Sequence, residues 1–172
     1  MKKIIKRSLI FTAGLLLVLA AVYAVYYLVN KQEVIESREF NNPDIETKVL
    51  IANQGSKFKN DLLGKLVDNL SFHSVQKIYI SVIDVTSLAE VKEEDWNAII
   101  IINTIEWYKL QKDAEAFINS AKSPEKIIVL ATSGDGNMKP KTSRIDTITS
   151  ASKIDTVDQK VEEILEKLSQ IL

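Results

Sequence analysis

Lys48-Val49-Leu50-Ile51-Ala52-Asn53-Gln54-Gly55-Ser56-Lys57-Phe58-Lys59-Asn60-Asp61 is the stretch whose reading decides the fold. Val49 to Ala52 is apolar at every position, as a strand buried on both faces must be. Asn53 to Ser56 is polar and contains a glycine, which suits a tight turn. Leu62, Leu63, Leu66, Val67 and Leu70 then recur at helical spacing. A strand, a tight loop and a helix start in succession are the unit of an open α/β sheet. The loop of such a unit lies at the carboxyl end of a strand, where free amides and helix N-termini converge on ligands.

Downstream of this unit the alternation continues. Ile78 to Asp84 reads as a second strand, followed by an acidic segment poor in helix signals that ends at Asp95-Trp96. Ala98-Ile99-Ile100-Ile101-Ile102-Asn103 reads as a central strand, and Leu110 to Ser120 as a helix with Leu110, Ala114 and Phe117 on one face. Lys126 to Thr132 is strand four, and Ile145 to Ile148 a fifth strand. Thr156-Val157-Asp158-Gln159 reads as a capping box. It opens a last helix with an apolar stripe of Val157, Val161, Ile164, Leu165, Leu168 and Ile171. Strands alternating with helices predict a doubly wound parallel sheet, an α/β fold.

The chain upstream has a different character. Residues 1–7 hold Lys2, Lys3, Lys6 and Arg7 and no acid. Ser8 to Val29 is apolar without one charge, and its 22 residues make about 33 Å of helix. That is enough for a hydrocarbon core of ~30 Å, and the basic tail places the N-terminus in the cytoplasm. The expected organisation is a basic tail (1–7), a transmembrane anchor (8–29), a juxtamembrane linker (30–46) and an extracytoplasmic domain (47–172). A cleaved signal peptide ending at Val22-Tyr23-Ala24 is the competing reading.

From Lys31 onward there are 18 basic and 23 acidic side chains, a balance of −5. That is a poor surface for nucleic acid, which rewards clustered Lys and Arg. The absence of cysteine excludes disulfides and thiolate chemistry, and the lone His73 leaves no basis for a His-rich metal site or a Ser-His-Asp triad.

From Lys48 to Leu172 this layout resembles the flavodoxins, a family with sheet order 2-1-3-4-5. Three loops carry the resemblance. Gly55-Ser56-Lys57-Phe58-Lys59-Asn60 is similar to the loop that wraps the FMN phosphate. Asn103 to Leu110 is similar to the loop whose aromatic stacks on the flavin ring, which points to Trp107 and Tyr108, with Thr104 beside them. Ser133-Gly134-Asp135-Gly136 is similar to the loop at the ring's polar edge. The pattern's glycine and threonine are replaced by Lys59 and Asp61. Separately, Asp146-Thr147-Ile148-Thr149-Ser150-Ala151-Ser152 resembles the motif on which a flavin transferase attaches FMN, with Ser152 as acceptor and Asp146 assisting. The resemblance implies noncovalent FMN, or covalent FMN at Ser152, and electron transfer to a redox partner at the outer membrane face. The alternative is a cofactor-free structural or interaction module on the same fold. A hydrolase using Ser133 and Asp135 has no base within sequence reach.

Overall fold

In a computed structural model, residues 2–30, 32–73, 77–141 and 144–172 are described, with residues 2–10, 28–30 and 73 described by backbone only. The side chain of His73 thus lies outside the described residues. Two compact units divide the chain, residues 1–32 and 33–172.

The first unit is one helix, α1 (Lys2–Asn30). Its described side chains, residues 11–27, are all exposed. Among the described residues no helix is long and apolar enough to cross a membrane. The expected transmembrane segment, Ser8 to Val29, lies within this helix.

The second unit is an α/β fold. Its elements are β1 (Arg38–Phe40), β2 (Lys48–Asn53), α2 (Lys57–Asp68), β3 (Tyr79–Asp84), β4 (Ala98–Thr104), α3 (Lys112–Ser120), β5 (Ile127–Thr132), β6 (Thr147–Ser150) and α4 (Val157–Ile171). One six-stranded sheet runs β1-β3-β2-β4-β5-β6. The expected all-parallel order 2-1-3-4-5 is corrected by β1, which pairs antiparallel with β3 and makes the sheet mixed. With β1 set aside, the five parallel strands run second, first, third, fourth, fifth. Residues 38–40 fall in the expected juxtamembrane linker (30–46). Three residues with one polar face carry too little periodicity to announce an edge strand.

The core lies in two layers, one on each face of the sheet. On one face Val49, Ile51, Ile100, Ile102, Ile128 and Leu130 meet Phe58, Leu62 and Leu66 of α2 and Val161, Ile164 and Leu168 of α4. On the other, Leu50, Ala52, Ile99, Ile101, Val129 and Ala131 meet Ala114, Phe117 and Ile118 of α3. Strands with apolar side chains on both faces have to be covered on both, which gives the three layers.

One local expectation holds and two are revised. Connection β3–β4 is made of 3-10 turns, Val85–Glu90 and Glu93–Asp95, and Val85 and Leu88 fill the core where a helix would. The fifth parallel strand is Thr147–Ser150, shifted toward the carboxyl side. The capping box does not form: Thr156 closes a 3-10 turn and its Oγ donates to the Lys153 carbonyl at 2.7 Å. The described residues of the β5–β6 connection contain no helix.

Candidate functional site

The sheet reverses its winding between β2 and β4, and ligands of open α/β sheets bind outside the strand carboxyl ends at such a switch point. Here that crevice is bridged by the protein's own side chains. Gln54 Oε1 accepts from the Thr104 amide at 2.8 Å, and Lys59 Nζ donates to Thr104 Oγ1 at 2.7 Å. Thr104 Oγ1 lies 3.3 Å from Thr132 Oγ1, which extends the polar chain to β5. Lys59 is 1% exposed. Burial lowers its pKa to about 7, and the nearby Glu106 carboxylate pulls in the opposite direction.

The loop after β2 is engaged in the same way. The Gly55 amide donates to the Glu33 carbonyl at 3.0 Å, and the Glu33 amide returns a bond to Gly55 at 2.9 Å. A Cβ on Gly55 would stand 2.5 Å from that carbonyl, so glycine is required for the close approach. Asn60 Nδ2 donates to the Glu33 carboxylate at 3.0 Å. Ser56 caps α2, its Oγ accepting from the Lys59 amide at 3.4 Å. Phe58 is buried in the core, and Lys57 is exposed. Of the residues expected to hold a phosphate, Gly55, Ser56, Lys59 and Asn60 are thus bonded within the domain. An internal carboxylate stands at the helix start, where anions are favoured.

The loop after β4 behaves differently. Glu106 and Lys109 exchange two backbone bonds of 3.0 Å across Trp107 and Tyr108. Both central residues are left-handed, with φ of 53° and 63°, the conformation of a type I′ turn. Asn and Gly suit such positions; for other L-residues each costs roughly 1–2 kcal/mol. Trp107 is 91% exposed at the tip, and the Lys141 ammonium sits 5.0 Å from the Tyr108 ring.

The loops after β5 and β6 come together. The Ser133 amide donates to the Ser150 carbonyl at 3.0 Å. Ser133 Oγ donates to Asp135 Oδ1 at 2.8 Å and accepts from the Gly136 amide at 3.0 Å. Hydrogen bonds from the Asn137 amide and Ser133 hold the exposed Asp135 carboxyl below its ordinary pKa. Gly134 is exposed and open. Gly136 has φ of 76°, and a Cβ there would stand 2.7 Å from the Ala151 amide. Ser152 is left-handed at φ 56° and exposed. Asp146 is held by Lys167 at 3.2 Å and Lys139 at 3.6 Å, and both contacts lower its pKa, the Lys167 bond most.

The loops after β2, β4, β5 and β6 lie at one sheet edge, while Asp146 precedes β6 at its amino end and Phe58 is in the core, and the loops differ in condition. The loop after β2 is closed on itself, and the loop after β4 is open to solvent. Three buried polar side chains to which the sequence reading gave no role also lie at this edge. Asn53 Oδ1, both polar atoms of the Asn103 amide and Ser150 Oγ have no hydrogen-bond partner among the described residues. The one signal available was an asparagine at the end of each of two apolar strands.

No protein-family model matches the chain, and no curated protein matches it.

Proposed function

We propose that this chain is a single-pass, membrane-anchored α/β module held outside the cytoplasm, working as a cofactor-free interaction or structural domain. The observation that carries the reading is the closed crevice. Gln54 and Lys59 bridge β2 to Thr104, and Glu33 occupies the Gly55 amide and the Asn60 side chain. A phosphate arriving there meets a carboxylate, and its most useful amide is already bonded. The anchor reading rests on the uncharged run from Ser8 to Val29 behind a basic tail. The exposed Phe11, Leu17 and Tyr23 agree with it, since an apolar helix surface of this kind needs lipid or protein around it.

The test is an FMN titration of the detergent-purified full chain, followed by flavin fluorescence. The expected result is no saturable binding. Stoichiometric uptake with a shifted flavin spectrum would overturn the reading.

A second reading, an FMN-binding electron-transfer domain, is favoured by one observation. Trp107, on its strained turn, is an exposed aromatic at the same edge as the Ser133–Gly136 loop. In this reading the flavin supplies the redox chemistry, Trp107 and Tyr108 provide a stacking face, and Glu33 leaves Gly55 when the phosphate binds. A covalent form would carry FMN on Ser152, seen as colour retained in an acid-precipitated pellet.

A further inference from the structure

Residues 33–37 run as a strap into β1, a three-residue strand at one edge of the sheet. The backbone bonds between Glu33 and Gly55 and a bond of 2.8 Å from the Ile35 amide to Asp84 Oδ2 tie the strap to the ends of β2 and β3. Between this segment and α2 lies a groove of about 500 Å³. Its lining is apolar at the centre. Ile35, Phe40 and Leu63 are half-buried there, and Val67 and Val82 are buried. Val34 lines the same groove and is 83% exposed.

Two observations say what this groove takes. The first is charge. Three carboxylates line it, Glu33, Glu36 and Asp68, against one guanidinium, Arg38, which lies 3.9 Å from Glu36. Glu33 is bonded to Asn60 near the start of α2, and Asp68 is the last residue of that helix. Carboxylates thus bracket the apolar lining over about 12 Å of helix. Such a site attracts cations and repels acidic chains. The second observation is Gly64, which stands in the middle of α2 and lines the groove. Glycine is the poorest helix former after proline, and a Cβ at this position would meet nothing within 4 Å. No contact among the described residues asks for glycine here. A helix wall without side chains is what an incoming backbone needs to lie close against α2.

We propose that this groove docks a basic, amphipathic segment of a partner protein. Apolar side chains of the segment lie on Ile35, Phe40 and Leu63, its backbone passes Gly64, and its lysine or arginine side chains meet Glu33, Glu36 and Asp68. The inference rests on the interaction reading above and names the partner's chemistry. A second copy of this chain is a poor occupant through the same edge, because it would bring its own Glu36 and Glu39 against these carboxylates.

The probe is a fluorescein-labelled peptide of alternating lysine and leucine, with two companions in which glutamate replaces lysine or glycine replaces leucine. Fluorescence anisotropy is read on the full chain in a non-ionic detergent, with empty micelles subtracted. The expected result is saturable binding of the lysine–leucine peptide, about tenfold or more weaker for either companion. Gly64→Leu fills the bare helix wall and Asp68→Lys reverses one charge, and each should weaken binding by a similar factor. Gly64→Leu should keep or raise the melting temperature, since leucine is the better helix former. Asp68 is exposed, so Asp68→Lys carries the test if Gly64→Leu does not fold. No saturable binding of the lysine–leucine peptide, equal binding by wild type and both variants, or equal binding of the glutamate peptide overturns the groove. With no FMN taken up, any of these leaves the cofactor-free domain standing. A dimer in sedimentation that dissociates in Gly64→Leu overturns the proposal in favour of a second copy. Saturable FMN uptake in a parallel titration strikes the reading on which the groove rests.

Discussion

The two ends of the sheet are built to different standards. At the amino end Trp96 is half-buried, its ring stacked on Tyr79 with centroids 6.2 Å apart and planes 13° from parallel. Asn97 Oδ1 accepts from the Lys48 amide at 2.8 Å. The Glu93 carboxylate accepts from the Lys122 and Ser123 amides at 2.9 and 2.7 Å. Burial alone would raise the pKa of Glu93; these N–H donors outweigh it and lower the value. At the carboxyl end, Trp107 stands in solvent on two left-handed residues, Lys59 is a buried amine, and Asn103 is a buried amide without a partner among the described residues. Each of these features costs stability. The carboxyl end concentrates left-handed backbone and the buried amine, while the amino end has an exposed Phe72 and a Ser71 hydroxyl that is buried without a partner among the described residues.

That contrast can be broken by substitution. The largest expected effect is at the amino end, where Trp96→Ala should lower unfolding free energy by about 2–3 kcal/mol through lost burial and stacking. Urea denaturation measures it, and a loss under about 0.5 kcal/mol, the level of an ordinary surface change, would erase the distinction between the ends.

Next is Lys59→Met, which should raise stability at neutral pH by roughly 1–3 kcal/mol, because a buried amine is replaced by an apolar group of similar length. Its pH dependence has a definite sign. The unfolded lysine holds its proton up to 10.5, and the folded one only to about 7. Between those values the unfolded state binds more protons, so wild-type stability rises with pH across that window. Thermal melts from pH 7 to 10 should show the rise in wild type and a flatter curve in Lys59→Met. A parallel pair of curves would show that Lys59 is not the group responsible.

The double change Trp107→Asn with Tyr108→Gly should raise stability by about 1–2 kcal/mol, since both residues tolerate left-handed backbone. Smallest of all is Trp107→Ala, within about 0.5 kcal/mol of wild type in detergent, as befits a side chain that packs against nothing. A loss above 1 kcal/mol would mean that the ring supports the fold.

How far the sequence could be read follows the same division. Val49–Ala52 and Ala98–Asn103 were legible as central strands because burial on both faces removes polar alternation altogether. The stripe of α4 was legible because six apolar residues repeat at helical spacing. Its capping box was not, since a threonine three residues before a glutamine says nothing of the 3-10 turn that already claims the Thr156 hydroxyl. The candidate residues could be put in loops that follow strands, but whether each is buried or bonded was invisible. Lys57 and Lys59 are two residues apart and chemically identical, yet one is exposed and the other is 1% exposed.

By itself the sequence determined an uncharged apolar run behind a basic tail, and an α/β domain whose strands are buried on both sides. Periodicity and charge are local quantities, so a linear reading captures them. Only the tertiary structure decided that β1 extends the sheet antiparallel, that Glu33 closes the loop at Gly55, and that Trp107 remains outside. Those outcomes depend on which segments meet across 22 residues from Glu33 to Gly55, and on 45 residues from Lys59 to Thr104. Pairings at that range are settled by the packing of the whole domain, and no local pattern encodes them.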